Sequence, residues 1–110
     1  MNTQKMTRVY EDLHHEEFQR KLSENKSAVL IDVRTSEEFE TVRIPDSINI
    51  DVMDYSFTER ISELDKSKTY FVYCRSGGRS RQACTVMSSH GFAVYNLSGG
   101  IGSWTGPVCD

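Results

Sequence analysis

Cysteine is scarce in this sequence, and its few copies are not paired. Cys74, Cys84 and Cys109 are odd in number, and no two of them form a Cys-x-x-Cys pair. This pattern argues against a disulfide framework and against a zinc site, and it fits a reducing compartment. The adjacent His14 and His15 do not have the spacing of metal ligands on a helix. We therefore predict a protein without a metal or another cofactor.

The chain also lacks an excess of positive charge and any long apolar run. Its formal net charge is −3, which gives no support for nucleic-acid binding. Residues 1–8 are polar, and no segment approaches the roughly 20 apolar residues that a membrane span needs. We predict a cytoplasmic protein, a monomer or weak dimer, with neither a nucleic-acid nor a membrane partner.

A length of 110 residues leaves room for one domain with one core. The sequence has no internal repeat and no low-complexity segment. We expect a flexible N-terminus over residues 1–8, a domain over residues 9–106 and a short tail over residues 107–110.

Four short apolar runs predict strands, and they lie at residues 28–31, 48–50, 70–73 and 94–97. Their lack of strict polar alternation is typical of strands that are covered on both faces, as in a parallel sheet. Helical spacing of apolar residues indicates a helix over residues 16–25, another around Phe57 and Ile61, and a third after Cys74. The pattern predicts an α/β domain with helices on both faces of a mostly parallel sheet.

Local signals mark the ends of three helices. Thr35 and Glu38 have the spacing of a capping box, Gly91 suits a left-handed C-cap, and Ser80 could cap the helix after Cys74.

The third predicted strand runs directly into a cysteine and a loop rich in glycine and arginine. Gly77 and Gly78 allow the loop to curl so that its backbone N–H groups point inward. Arg75 and Arg79 add positive charge in a chain that is acidic as a whole. We predict that these groups lower the pKa of the Cys74 thiol and make it a nucleophile.

A thiolate in such a loop suits attack on phosphorus or attack on the outer sulfur of a thiosulfonate or persulfide. Cysteine phosphatases have five residues between the nucleophile and the arginine that binds the phosphate, whereas only four separate Cys74 from Arg79. A smaller ring of donors favours transfer of a single sulfur atom, which also needs no general acid for its leaving group.

Four motifs in order resemble the single-domain rhodanese family of thiosulfate sulfurtransferases. They are Leu30-Ile-Asp-Val-Arg34 with Glu37-Glu-Phe39, Ile44-Pro45 with Ile48-Asn-Ile50, Tyr73-Cys-Arg-Ser-Gly-Gly-Arg-Ser80, and Gly99-Gly-Ile101 with Trp104. The resemblance covers nearly the whole chain. It implies a five-stranded parallel sheet, a Cys74 persulfide and an active loop from Cys74 to Arg79.

On this basis we predict Cys74 as the catalytic residue and a thiol or cyanide as the sulfur acceptor. The donor would be a small sulfur anion such as thiosulfate, or a protein persulfide. We expect Asp32 and Arg34 to support the loop from behind as an ion pair or as cap partners. The predicted substrate-binding residues are Arg75, Ser76, Gly77, Gly78, Arg79 and Ser80.

The segment from Val42 to Ser47 departs from the family pattern, because Val42 and Asp46 stand where glycines are usual. We expect Asp46 to accept a left-handed backbone, whereas Val42 cannot adopt a positive φ cheaply, which leaves the local path of this segment open. Arg43 replaces a histidine, and we expect its side chain to point to solvent.

Two other readings stay open. One is a phosphatase or arsenate reductase that uses the same thiolate, and the other is a protein-binding or sulfur-carrier module. Of the remaining thiols, we expect Cys84 to pack in the core and Cys109 to be exposed in the tail.

Overall fold

A five-stranded parallel sheet forms the centre of the fold in the computed structural model, which describes residues 10–110. The predicted flexible segment 1–8 lies outside the described residues. The strands follow the order β1-β5-β4-β2-β3 across the sheet. They are β1 (Glu11–Leu13), β2 (Ala28–Asp32), β3 (Ser47–Asn49), β4 (Thr69–Tyr73) and β5 (Ala93–Leu97).

Four α-helices connect these strands in residues 10–110, and one short 3-10 helix follows β5. They are α1 (His15–Glu24), α2 (Ser36–Thr41), α3 (Phe57–Ser62), α4 (Gly78–Ser89) and the 3-10 helix Ile101–Ser103. The Thr35 and Glu38 capping box at the start of α2 is present, with each side chain bonding the backbone of the other residue. Gly91 follows α4 with a φ of 91°, as predicted for a C-cap glycine.

The central strand β4 is covered on both faces, which explains its continuous apolar sequence. Tyr70, Val72 and Cys74 belong to one buried cluster, with residues of α3 and α4. Phe71 and Tyr73 belong to a second cluster, with Phe18 of α1 and Trp104. The predicted α/β class with a parallel sheet between two helical layers is confirmed.

Strand β1 was absent from the four runs predicted by apolar sequence. Of its three residues only Leu13 is buried, so no apolar run marks it. It is fixed instead by pairing with β5, where Glu11 lies opposite Tyr95 and Leu13 opposite Leu97. The resemblance did imply a fifth strand. β1 and β3 form the two opposite edges of the sheet.

Within residues 10–110, no helix combines the length and the apolar character that crossing a membrane requires.

The turn before β3 contains neither of the usual glycines and needs no positive φ at Val42. Val42 has a φ of −158°, an extended conformation that any residue adopts. Asp46 does take a left-handed conformation, with a φ of 68°. The Tyr73 hydroxyl accepts a hydrogen bond from the Ile44 N–H at 3.1 Å and lies 3.1 Å from the Ser47 hydroxyl. Contacts from β4 therefore hold the path of this turn.

We expect the stability of the domain at position 46 to follow the order glycine, aspartate, alanine. Glycine adopts a φ of 68° without strain, and alanine lacks the local polar contacts that let aspartate visit this region. Asp46→Gly should raise the free energy of unfolding by about 0.5 kcal/mol, and Asp46→Ala should lower it by about 1 kcal/mol. Urea unfolding monitored by circular dichroism measures both. Equal stabilities would show that the turn relaxes away from this backbone angle.

Arg43 does not extend into solvent as expected. Its guanidinium carbon lies 4.9 Å from the centre of the Phe39 ring, and its Nη1 donates to the Phe39 carbonyl at 3.4 Å. Its backbone forms an antiparallel bridge with Cys109, with N–H to carbonyl bonds of 2.9 and 2.8 Å. The tail is thus tied to the domain, and Cys109 is half-buried rather than exposed.

Candidate active site

The carboxyl ends of β2 and β4 bring the predicted site residues to one edge of the sheet. Asp32 ends β2 and Cys74 follows β4 directly, and the two strands pair in parallel with Asp32 opposite Tyr73. In open α/β sheets, ligands bind at this edge. The active loop occupies it, as the sequence predicted.

Backbone N–H groups surround the sulfur of Cys74. The Gly77 N–H donates to Sγ at 3.1 Å, and the Ser80 Oγ lies 3.4 Å from the same sulfur. Gly77 has a φ of 110°, which a residue with a side chain rarely adopts, and α4 begins at the next residue, Gly78. The amino end of the 12-residue α4 therefore points its free N–H groups toward the thiol.

These donors stabilise the thiolate form of Cys74. Burial opposes ionisation, but the Ser80 hydroxyl and the backbone N–H groups of Ser80, Gly77 and Ser76 outweigh it, so the pKa of the Cys74 thiol falls below its ordinary value. Cys84 on α4 has no such donors, and burial raises the pKa of its thiol well above the ordinary value. Cys84 is fully buried, as predicted for a packed core thiol.

Ser80 does not cap α4 as the sequence suggested. Gly77 occupies the N-cap position, and Ser80 lies within the first turn of the helix. With Cys74 as a thiol, the Ser80 hydroxyl donates to the Gly77 carbonyl at 3.1 Å and accepts from the Cys74 S–H at 3.4 Å. Ionisation of Cys74 turns the single hydroxyl proton toward the sulfur. Ser80 is buried, so its hydroxyl interacts with the loop and the thiol and not with solvent.

Arg79 is already bound to a carboxylate of the chain. Its Nη1 and Nη2 donate to the two carboxylate oxygens of Glu38 at 2.8 and 3.1 Å, and both side chains are 28% exposed. The hydrogen bond from Arg79 lowers the pKa of Glu38 to about 2, so the carboxylate stays ionised at neutral pH. The sequence predicted Arg79 as an anion-binding residue but gave no signal for this partner, which lies 41 residues away.

Arg75 is exposed and, among the described residues, forms no ion pair. It lines a cavity of about 520 Å³ beside the active loop. The other lining residues are Arg34, Glu37, Glu38, Thr41, Val42, Ile101, Gly102 and Val108. The cavity is thus lined partly by charged side chains and partly by the apolar side chains of Val42, Ile101 and Val108.

Asp32 and Arg34 form the buried ion pair that the sequence suggested. The closest contact joins Arg34 Nη2 to Asp32 Oδ2 at 2.7 Å, and Arg34 also donates to the Val42 carbonyl. Asn49 Nδ2 donates to the carbonyl oxygens of Asp32 and Arg34 at 3.0 and 2.9 Å. The pair joins the end of β2 to the turn before β3, behind the loop.

The motif Gly99-Gly-Ile101, called the closing motif below, contacts the backbone of the loop after Cys74. The sequence did not reveal this role. The N–H groups of Ile101 and Gly102 donate to the carbonyls of Cys74 and Arg75, each at 2.9 Å. A Cβ added at Gly100 would lie 2.4 Å from the carbonyl carbon and oxygen of Arg75. A side chain at position 100 would therefore clash with the backbone of the loop.

Within residues 10–110, no group of three or more His, Cys, Asp or Glu side chains is arranged to hold a metal ion.

We expect alkylation of Cys74 by iodoacetamide to reach half of its maximal rate at a pH below that of an ordinary cysteine. The rate rises with pH as the thiol ionises and becomes constant above its pKa, which the loop donors lower. Ser80→Ala removes one of these donors and should move the midpoint upward. Ser89→Ala, at the exposed end of α4, is the control and should not move it. Mass analysis of the Cys74 peptide gives the rates, and an unchanged midpoint in Ser80→Ala would contradict the role of the hydroxyl.

Comparisons with known proteins agree on one family. The model of the rhodanese-like domain matches residues 14–107. A sulfurtransferase of Allochromatium vinosum is 34% identical, over 84% of this chain and 86% of that protein. The thiosulfate sulfurtransferase GlpE of Pseudomonas syringae is 38% identical, over 72% of this chain and 74% of that protein. The crystal structure of a rhodanese-related protein from Thermoplasma volcanium has a TM-score of 0.80 at 29% identity, over 91% of this chain and 98% of that one.

Proposed function

The chain belongs to the rhodanese-like domain family, and on that premise we propose that it is a sulfurtransferase that carries sulfane sulfur on Cys74. The observation that carries the proposal is the thiol itself, held at the end of β4 within reach of the Gly77 N–H and the Ser80 hydroxyl. Relatives named sulfurtransferase support the same reaction class.

Transfer proceeds in two steps. The Cys74 thiolate attacks the outer sulfur of the donor, a bond forms between Sγ and that sulfur, and the donor's sulfur–sulfur bond breaks. The leaving group, sulfite from thiosulfate or a thiolate from a persulfide, departs with the bonding electrons. An acceptor thiolate or cyanide then attacks the outer sulfur and releases the Cys74 thiolate.

The loop donors suit the intermediate as well as the resting thiolate. A persulfide anion at Cys74 carries its negative charge on the outer sulfur, one S–S bond of about 2 Å beyond Sγ. The free N–H groups at the start of α4 are the donors that would stabilise it there. Neither step needs a general acid, because both leaving groups are stable anions.

The pairing of Arg79 disfavours the phosphatase reading. Nη1 and Nη2 of Arg79 each donate one N–H to Glu38. A phosphate dianion that binds Arg79 would therefore meet the negative charge of this carboxylate. Together with the four-residue spacing from Cys74, this arrangement favours sulfur as the transferred group.

Intact mass spectrometry tests the proposal. After treatment with a sulfane sulfur donor, the protein should gain the mass of one sulfur atom, and cyanide should remove it. Peptide mapping should locate the added sulfur on Cys74, and prior alkylation of Cys74 should prevent its addition. Turnover of an aryl phosphate without any sulfur adduct would overturn the proposal in favour of a phosphatase.

A further inference from the structure

Arg79 and Glu38 form an ion pair beside the active loop that neither step of the proposed transfer uses. Arg79 lies in the first turn of α4, and Glu38 lies in the first turn of α2. Nη1 of Arg79 donates to Oε1 of Glu38 at 2.8 Å, and Nη2 donates to Oε2 at 3.1 Å. Two parallel hydrogen bonds between planar groups hold the guanidinium in one orientation.

The carboxylate of Glu38 is also held from its own helix. The Thr35 N–H and the Thr35 hydroxyl donate to its Oε1 at 3.1 and 3.2 Å, and the Glu38 N–H donates to Thr35 Oγ1 at 3.2 Å. The side chains of Glu38 and Arg79 are each 28% exposed, so solvent screens their charges only in part. The capping box of α2 thus fixes the position of a guanidinium on α4.

The charge of Arg79 acts on the thiol of Cys74. The hydrogen bond to Glu38 raises the pKa of Arg79, and the negative charges of Cys74 and Asp51 raise it further. The attraction is mutual, so the guanidinium favours the thiolate form of Cys74 in return. Glu38 places an opposite charge in direct contact with Arg79 and offsets this attraction. Asp51, which follows β3, acts on Arg79 more weakly than Glu38 does.

The other titratable groups near the thiol leave this balance to Arg79 and Glu38. Cys84 on α4 stays neutral, because burial raises the pKa of its thiol. Asp32 and Arg34 at the end of β2 cancel each other as a buried ion pair. The remaining charged side chains that adjoin the loop are exposed to solvent, and they are Arg75 and Arg81.

A nucleophilic thiol needs a balance between two properties. A lower pKa increases the fraction of thiolate, but it also makes the thiolate a weaker nucleophile. The uncharged donors of Ser80, Gly77 and Ser76 already lower the pKa of Cys74. The full charge of Arg79 in addition would increase the stability of the thiolate at the expense of its reactivity.

We propose that Glu38 is a positioning residue for the reaction of Cys74, because it fixes the guanidinium of Arg79 and cancels its charge, so that the thiolate remains a strong nucleophile. The consequence for sulfur transfer rests on the proposed function. The effect on the thiolate itself can be measured without any sulfur donor.

Glu38→Gln removes the charge and retains the shape of the side chain. Glutamine is also a normal member of a capping box, so the start of α2 should be preserved. We expect the midpoint of Cys74 alkylation by iodoacetamide, an uncharged reagent, to move to lower pH. The constant rate above the midpoint should fall roughly twofold, because a better stabilised thiolate is a weaker nucleophile. The variant should thus react faster than the wild type at low pH and more slowly at high pH.

Glu40→Gln is the matched control for this variant. It removes the same charge from an exposed position of α2 and should change neither the midpoint nor the constant rate. A midpoint of Glu38→Gln that stays at the wild-type value, or that moves to higher pH, would overturn the inference. The second result would show that the loop had lost its donors.

Arg79→Gln should have the opposite effect. It leaves the negative charge of Glu38 beside the loop, so the midpoint should move to higher pH than in the wild type. A protein with both Glu38→Gln and Arg79→Gln carries neither charge, and its midpoint should return toward the wild-type value. A pair with a purely structural role would raise the midpoint in all three variants, and that result would contradict the inference.

Two further measurements keep the outcome decisive. Circular dichroism shows whether each variant is folded, and if Glu38→Gln alone does not fold, the midpoint of the double variant must lie at lower pH than that of Arg79→Gln. Intact mass spectrometry after treatment with thiosulfate or a persulfide tests the proposed function separately. If Glu38→Gln shows the expected change in alkylation but the wild type takes up no sulfur, the charge balance stands and the proposed function is wrong.

Discussion

Replacing Cys74 with serine should abolish sulfur transfer to cyanide or to a thiol, with a loss of kcat on the order of 10³-fold or more. The loop holds its donors around an atom that must be an anion and a strong nucleophile, and no base is positioned to ionise a serine hydroxyl there. The variant should remain folded, because serine is smaller than cysteine and can bond to Ser80.

Cys109→Ser is the matched control for this substitution. It makes the same exchange of sulfur for oxygen at a half-buried thiol in the tail, and it should retain activity. Rates with thiosulfate and with glutathione persulfide should be compared for both variants. Persistence of transfer in Cys74→Ser would assign the sulfur to another thiol and refute the proposed function.

Replacing Gly100 with alanine should lower the free energy of unfolding by about 2–4 kcal/mol. This figure is the sum of a clash with backbone atoms and the strain of a side-chain-bearing residue at positive φ. The new Cβ would lie 2.4 Å from the Arg75 carbonyl and 2.6 Å from that of Cys74, and Gly100 has a φ of 64°. Neither atom can rotate away, because both belong to the backbone. The loop must therefore move.

We expect the same variant to lose at least about tenfold in kcat/KM, since small displacements of a nucleophile are costly to catalysis. Gly78→Ala is the control for stability, because its added Cβ meets no atom within 4 Å. Urea unfolding and the rate of Cys74 alkylation should be measured together. A stable Gly100→Ala protein with normal alkylation would show that the closing motif does not position the loop.

The parts of the fold that the sequence predicted are those that depend on neighbours along the chain. Apolar runs located β2, β3, β4 and β5 to within about one residue at each end. The runs of β2, β4 and β5 are apolar because these strands pack between two layers of helices. Helix ends followed from the Thr35 capping box and from Gly91. β1 was missed because two of its three side chains face solvent.

The candidate site likewise has one part formed by neighbours along the chain and another part formed by residues that only the fold brings together. The ring around the Cys74 sulfur comes from consecutive residues, so its sequence predicts its shape. The partners of that ring come from elsewhere: Glu38 from α2, and Gly100 with Gly102 from the segment after β5. Only the order of strands in the sheet brings them together, and no local pattern encodes it.

The path of the turn at Val42 was left open by the sequence for a related reason. A residue that replaces glycine is strained only where φ is positive, and the backbone angle of Val42 is extended. The Tyr73 hydroxyl holds the turn from β4, 29 residues from Ile44, and the Arg34 guanidinium holds it from the segment after β2.

The shortness of the two outer strands bears on how the protein behaves at high concentration. β1 and β3 have three residues each, and β1 exposes Glu11 and Asp12. An exposed strand can recruit a strand of another molecule and start aggregation, but a short and negatively charged border offers few unpaired amides and repels a second copy. We therefore expect the β1 edge of the folded domain to resist sheet-to-sheet aggregation even at high protein concentration.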